Sequence, residues 1–263
     1  MSATAPNANQ LLKTAHKEGD LSMASMQVLG NIDIGNQIQA GLGIAAEDVQ
    51  ASEVVLVTML IDDSGSIRFG NNTQHMKDGH NLVLASLTGS KQKDGVLAHT
   101  RYLNGKVLYP YTKIDDALKM DSQNYNPDGG TPLYDQSVVV LGTVLAKTKE
   151  FEDAGVPVRS VTLIASDGAD EHSHGRARDV KSIVSDMMSK ERHIVAAMGF
   201  EDGHTDFKKV FSEMGIRDEW ILTLGNSPKE IRKAFQLFSQ SAVQASKSGA
   251  SFSKTALGGF GTP

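Results

Sequence analysis

The chain has 263 residues, 40% of them hydrophobic and 22% charged, with a formal net charge of -5 and no cysteine. Such a length suits one sizeable core, and these proportions exclude a wholly disordered chain. The missing cysteines exclude disulfides, thiolate metal sites and cysteine nucleophiles, and the acidic balance with scattered Lys and Arg argues against nucleic acid as a partner.

Residues 1–52 are polar, rich in Ala and Gln, and only weakly periodic, so they read as a partly ordered N-terminal arm. The opening stretch lacks a basic segment followed by an apolar one, and no apolar run approaches the roughly 20 residues of a membrane helix. A cytoplasmic protein with no membrane contact is expected. The runs "EVVLVTMLI" (53–61), "VRSVTLIAS" (158–166) and "HIVAAMGF" (193–200) are continuous and apolar, as strands buried on both faces are. "EWILTLG" (219–225) fits the same role.

Helical segments alternate with these runs. Residues 72–87 place Met76, Val83, Leu84 and Leu87 on one stripe. Thr131 followed by Pro132 predicts an N-cap and first helical position for the segment after it. "ARDVKSIVSDMMSK" and "DFKKVFSEMG" give two more helices, and Ser227, Pro228 and Glu230 predict a capping box before the last long one. Asn104-Gly105 between "GVLAHTRYL" and "KVLYPYT" predicts a hairpin, hence an antiparallel edge pair. The pattern gives an α/β fold: a mostly parallel sheet with an antiparallel edge strand and helices on both faces. The domain would span 53–246, followed by a flexible Ser/Gly-rich tail at 247–263.

The chemistry gathers at strand ends. "LIDDSGSI" (60–67) sets Asp62, Ser64 and Ser66 directly after the first strand, where alternate side-chain oxygens can aim at one point, with Gly65 easing the bend. In open α/β sheets ligands bind beyond the carboxyl ends of the strands. Thr131 in "PDGGTPLYD" and Asp167 in "LIASDGAD" fall at equivalent positions. Two carboxylates and three hydroxyls, with no sulfur, suit Mg²⁺, and next Mn²⁺ or Ca²⁺, over zinc.

This ordered set, Asp62-x-Ser64-x-Ser66, Thr131 after a double glycine, and Asp167 in a strand-end "SDG", resembles the metal-ion-dependent adhesion site of von Willebrand factor A domains, over roughly residues 53–245. The resemblance implies a Rossmann-like, doubly wound sheet with a metal at its top, held directly by Ser64, Ser66 and Thr131, with Asp62 and Asp167 acting directly or through water. It also implies a partner protein whose Asp or Glu completes the metal's shell. The expected function is a non-enzymatic, metal-dependent protein-binding module of the intracellular bacterial type, working with an AAA+ ATPase or another assembly component. Self-association through the same metal is the alternative, and a metal-assisted hydrolase or phosphoryl-transfer enzyme a weaker one. Haloacid-dehalogenase-like phosphatases need an acid where Ser64 stands, and receiver domains need a phosphoacceptor Asp and a late Lys at strand ends. No GxxxxGK[ST] or GxSxG motif occurs.

The remaining polar residues carry weaker expectations. Asp63 reads as a solvated or capping residue. Tyr125, Asn126 and Asp128 would line one rim of the site or simply form a turn. His172 and His174 could bind a transition metal, but read better as a solvated rim beside Asp167, with Asp170 and Glu171 tuning its charge. The other histidines show no shared spacing and read as structural or surface residues.

Overall fold

The computed structural model describes residues 7–225 and 227–261, with the backbone alone described at 69–71 and 261. The first six residues of the expected arm and the last two of the expected tail lie outside that range.

Three short helices come first: α1 (Ala8–Lys17), α2 (Met23–Leu29) and α3 (Ile32–Gln39). Next are β1 (Val54–Ile61), α4 (Asn72–Thr88) and the hairpin of β2 (Val96–Tyr102) and β3 (Val107–Lys113). The chain continues through α5 (Leu133–Asp153), β4 (Val158–Ser166), α6 (Ala177–Met188), β5 (His193–Phe200), α7 (Phe207–Glu213), β6 (Ile221–Leu224), α8 (Pro228–Ser246) and α9 (Gly249–Gly258). The six strands order as β3-β2-β1-β4-β5-β6, and β3 alone runs antiparallel to its neighbour.

Burial explains the strand sequences. β1, β4 and β5 sit inside the sheet with every residue buried, which is why each is dominated by apolar residues on both faces. β3 is the antiparallel edge, and Gly105 in the turn before it takes φ +88°. Its free side is not left bare: the Ile44 N–H donates to the Tyr111 carbonyl at 2.9 Å, and the Tyr111 N–H to the Gly41 carbonyl at 3.0 Å. An extended segment thus closes an edge that could otherwise pair with another chain.

The weakly periodic N-terminal segment differs from the expected arm. Leu11, Leu12, Ala15, Leu29 and Ile38 are buried, and α1 to α3 pack over α5 and α6. Gly142 of α5 admits the close approach, because a Cβ there would lie 2.6 Å from Ile38 Cδ1 and 2.7 Å from Leu29 Cδ2. This cover is why α5 is buried on nearly all sides. Helices of seven to ten residues gain their stability from such packing, and their own periodicity is a weak signal. Arg101, fully buried, ties this layer to the hairpin: its guanidinium donates to the carbonyls of Gln37, at 2.5 Å, and Gly105, at 3.1 Å.

The segment read as a flexible tail is also ordered in its described part. Phe252 of α9 is buried, Arg159 lies 5.7 Å from its ring centroid, and the Trp220 indole N–H donates to the Ala256 carbonyl at 3.1 Å. Two aromatic anchors, Phe252 and Phe260, outweigh the Gly/Ser composition around them.

Candidate metal centre

All parallel strands point their carboxyl ends at one pole. The register pairs Ile61 with Ala165, so the next residues, Asp62 and Ser166, leave the sheet side by side. The Asp62 N–H still donates to the Ala165 carbonyl at 3.0 Å, and the chain then turns away through a 3-10 helix at Gly65–Asn71.

The Asp62 carboxylate organises the loop beyond β1 and joins it to the end of β4. Its Oδ1 accepts the Ser64 N–H at 2.8 Å, while Oδ2 accepts the Ser166 hydroxyl at 2.7 Å and the Asp167 N–H at 3.1 Å. Ser64 Oγ and Ser66 Oγ are 2.8 Å apart, and both donate to Asp167 Oδ1, at 3.3 and 2.7 Å. The third segment is stitched on by backbone: Gly65 N–H donates to the Gly129 carbonyl at 3.0 Å, and the Asp128 and Gly129 N–H groups donate to the Asp63 carbonyl. Thr131 comes next, with its Oγ1 4.0 Å from where a Cβ on Gly168 would stand. Asp62, Ser64, Ser66 and Asp167 are therefore in direct contact, with Thr131 beside Gly168. Thr131 does not cap α5 as predicted: Pro132 holds the cap position and that helix has no side-chain cap.

The electrostatics are those of a site short of positive charge. Asp62, Asp63 and Asp167 are 0, 2 and 6% exposed, and among the described residues no ion pair reaches any of them. Burial, reinforced by the charge of Asp62, pushes Asp167 up to about 7 against the Ser66 and Ser64 hydrogen bonds. Burial likewise raises Asp63 to about 6, opposed by the Asn104 N–H. Among the described residues no three His, Asp or Glu side chains are grouped to hold a metal ion. A cation here would depend on the hydroxyls as well as the acids. Clustered carboxylates without a counter-charge, next to three hydroxyls, fit a hard divalent cation.

Several expectations change. Asp63 is neither solvated nor a helix cap: its Oδ1 accepts the Asn104 N–H at 2.9 Å and fastens the β2–β3 turn to the site loop. Tyr125 is buried beneath the rim, its hydroxyl donating to the Asp62 carbonyl at 2.5 Å, whereas Asp128 is exposed and 3.8 Å from Arg68. His172 and His174 do not converge. His172 Nδ1 accepts the Thr131 N–H at 3.0 Å, and His174 is held by Asp135. Sequence reasoning missed Ser166, whose hydroxyl locks Asp62 in place; its position immediately before Asp167 in the "SDG" turn was the available signal.

No family model and no curated protein matches the chain. Solved structures do, and they define a class of fold. At a TM-score of 0.52 and 12% identity, 73% of the chain overlays 96% of the vWF domain of the type V pili tip protein Mfa5 from Porphyromonas gingivalis. The sheet with its one antiparallel strand and flanking helices is thus the Rossmann-like von Willebrand factor A fold. Proximal thread matrix protein 1 (PTMP1) from the mussel byssus, in a form described as having a zinc-occupied MIDAS motif, is similar over 74% of this chain and 47% of that one (TM-score 0.51, 18% identity). The pilus adhesin SpaC from Lactobacillus rhamnosus GG overlays 74% of this chain with 31% of its own (TM-score 0.55, 11% identity). The chain spans less than half the length of these last two proteins.

Proposed function

We propose that the chain is a non-enzymatic, metal-dependent protein-binding module, with Asp62, Ser64, Ser66, Thr131 and Asp167 holding Mg²⁺, or Mn²⁺ or Ca²⁺ in its place. The carrying observation is the cluster itself: Asp62, Asp167 and Ser64 are buried together, with the exposed Ser66 hydroxyl on Asp167, within 2.7–3.3 Å contacts and without a basic partner among the described residues. A bound cation would supply Lewis acidity and a coordination position for a carboxylate from another protein. The chain's own residues do the holding. Asp62 fixes the start of the site loop through the Ser64 N–H and the end of β4 through Ser166, so the serines stand ready in one orientation. The neutral hydroxyls leave room for one more anionic donor, which is where an Asp or Glu of a partner would enter. The zinc-occupied motif of the mussel protein supports a divalent ion in a like fold. A cytoplasmic location, and an AAA+ ATPase or other assembly component as partner, belong to this proposal through the family resemblance alone.

Calorimetric titration of wild type and Asp62→Ala with Mg²⁺ and Mn²⁺ tests it. Saturable binding of about one ion, lost in the variant, is expected. Partner capture that persists in EDTA, or a wild-type chain that binds neither ion even with acetate present, would sink it.

A further inference from the structure

The segment at 168–176, between β4 and α6, is built onto the start of α5 and does not project freely as a rim. Asp170 Oδ1 accepts the Tyr134 N–H at 3.0 Å, and Asp135 accepts the N–H groups of His174 and Gly175 at 2.9 and 2.8 Å. The Thr131 peptide is gripped from both sides: its carbonyl accepts the Glu171 N–H at 3.1 Å, and its N–H donates to His172 Nδ1 at 3.0 Å. Gly130 belongs to the same device. A Cβ there would lie 2.6 Å from His172 Nδ1 and 2.9 Å from Cγ and Cε1, so the second glycine of "GGT" clears the space that the imidazole fills.

A backbone N–H can only donate, so Nδ1 must present its lone pair to Thr131. The neutral ring then carries its proton on Nε2, at the opposite edge. His172 is exposed, and its neighbours in the chain, Asp170 and Glu171, are both acceptors when ionised. A carboxylate that gives one oxygen to a cation has a second oxygen in want of a donor.

On the reading of this pole as a metal-dependent carboxylate site, we propose that His172 has two tasks. Its Nδ1 seats Thr131, as a positioning residue, and its Nε2–H receives the free oxygen of the incoming carboxylate. The residue therefore couples the shape of the metal site to recognition of the partner's Asp or Glu.

Long-range ¹H–¹⁵N spectra of the full chain labelled at histidine test the first task without any metal. A Nε2–H tautomer with an unprotonated Nδ1 is expected, and a Nδ1–H tautomer would overturn the proposal. Two variants then separate the tasks. His172→Ala removes both and should weaken Mg²⁺ binding about tenfold, the lower end of what losing a residue behind a metal ligand costs. His172→Asn keeps an acceptor for the Thr131 N–H but has no far N–H. It should restore Mg²⁺ affinity to near wild type while leaving acetate binding to the Mg²⁺-loaded protein about tenfold weaker. Wild-type Mg²⁺ affinity in the Ala variant would refute the seating role, and wild-type acetate affinity in the Asn variant would refute the donor role. If the wild-type chain binds neither Mg²⁺ nor Mn²⁺ even with acetate present, the metal reading falls and the donor role with it, while the tautomer still decides the contact with Thr131.

Discussion

Beneath the edge strands, His80, Thr100 and Tyr109 form a polar cluster inside the protein: His80 Nε2 is 3.1 Å from Thr100 Oγ1 and 3.2 Å from Tyr109 Oη, and the threonine donates to the tyrosine at 2.8 Å. At the pole of the same sheet Asp62, Asp63 and Asp167 are about as buried. In the first cluster burial lowers His80 to about 4 and raises Tyr109, so both stay neutral and satisfy one another. The second consists of acids whose mutual repulsion and burial work against ionisation. Equal burial thus serves two ends. A neutral, closed cluster secures the fold, whereas a cluster of acids without a counter-charge fits the proposed role of receiving a cation.

The contrast can be broken most forcefully with acid. His80, His99 and His193 have folded values of about 4, 3 and 3, below the ordinary value of about 6.5. The unfolded chain therefore takes up these protons first, and the stability they confer is full above pH 6.5 and lost as pH falls toward 4. Between pH 7 and 5 each should cost about 2 kcal/mol in urea unfolding. Asp167 has the opposite sign: with a folded value of about 7, its contribution is full below about pH 4 and lost as pH rises through 7. In EDTA, Asp167→Asn should accordingly lose more stability than wild type from pH 7 to 5, by about 1–2 kcal/mol. Parallel profiles would show that Asp167 does not carry the proton.

A control lies outside both clusters. Phe252→Ala should cost about 3–5 kcal/mol by thermal or urea unfolding and leave Mg²⁺ affinity unchanged, because it removes a buried anchor of α9. An unaffected unfolding curve would mean that α9 is not docked. Smaller still, Tyr109→Phe should cost about 1 kcal/mol of stability with no effect on Mg²⁺ titration. The sign reverses at pH 8 in EDTA: Asp167→Asn should stabilise the chain while Mg²⁺ ceases to raise the melting temperature. A destabilised variant would show that Asp167 is tied to the fold as His80 is.

Much of the fold was legible in the chain. The runs at 53–61, 158–166 and 193–200 match β1, β4 and β5 within a residue, Asn104-Gly105 marks the hairpin, and Ser227 caps α8 as its spacing predicts. These features are local, arising from backbone preference, continuous burial and turn chemistry. The order Asp62, Ser64, Ser66, Thr131, Asp167 was legible for a related reason, since strand ends of one parallel sheet must share a pole. What the tertiary structure alone decided was which polar groups answer one another across long separations. Asp63 reaches Asn104, Tyr125 reaches the Asp62 carbonyl, and His172 reaches the Thr131 amide. The short helices α1 to α3 and α9 belong to the same class, because their burial depends on partners far along the chain and their own sequences are too short or too polar to announce it. Local sequence sets the elements and the donors, and only the packed sheet sets the distances between them.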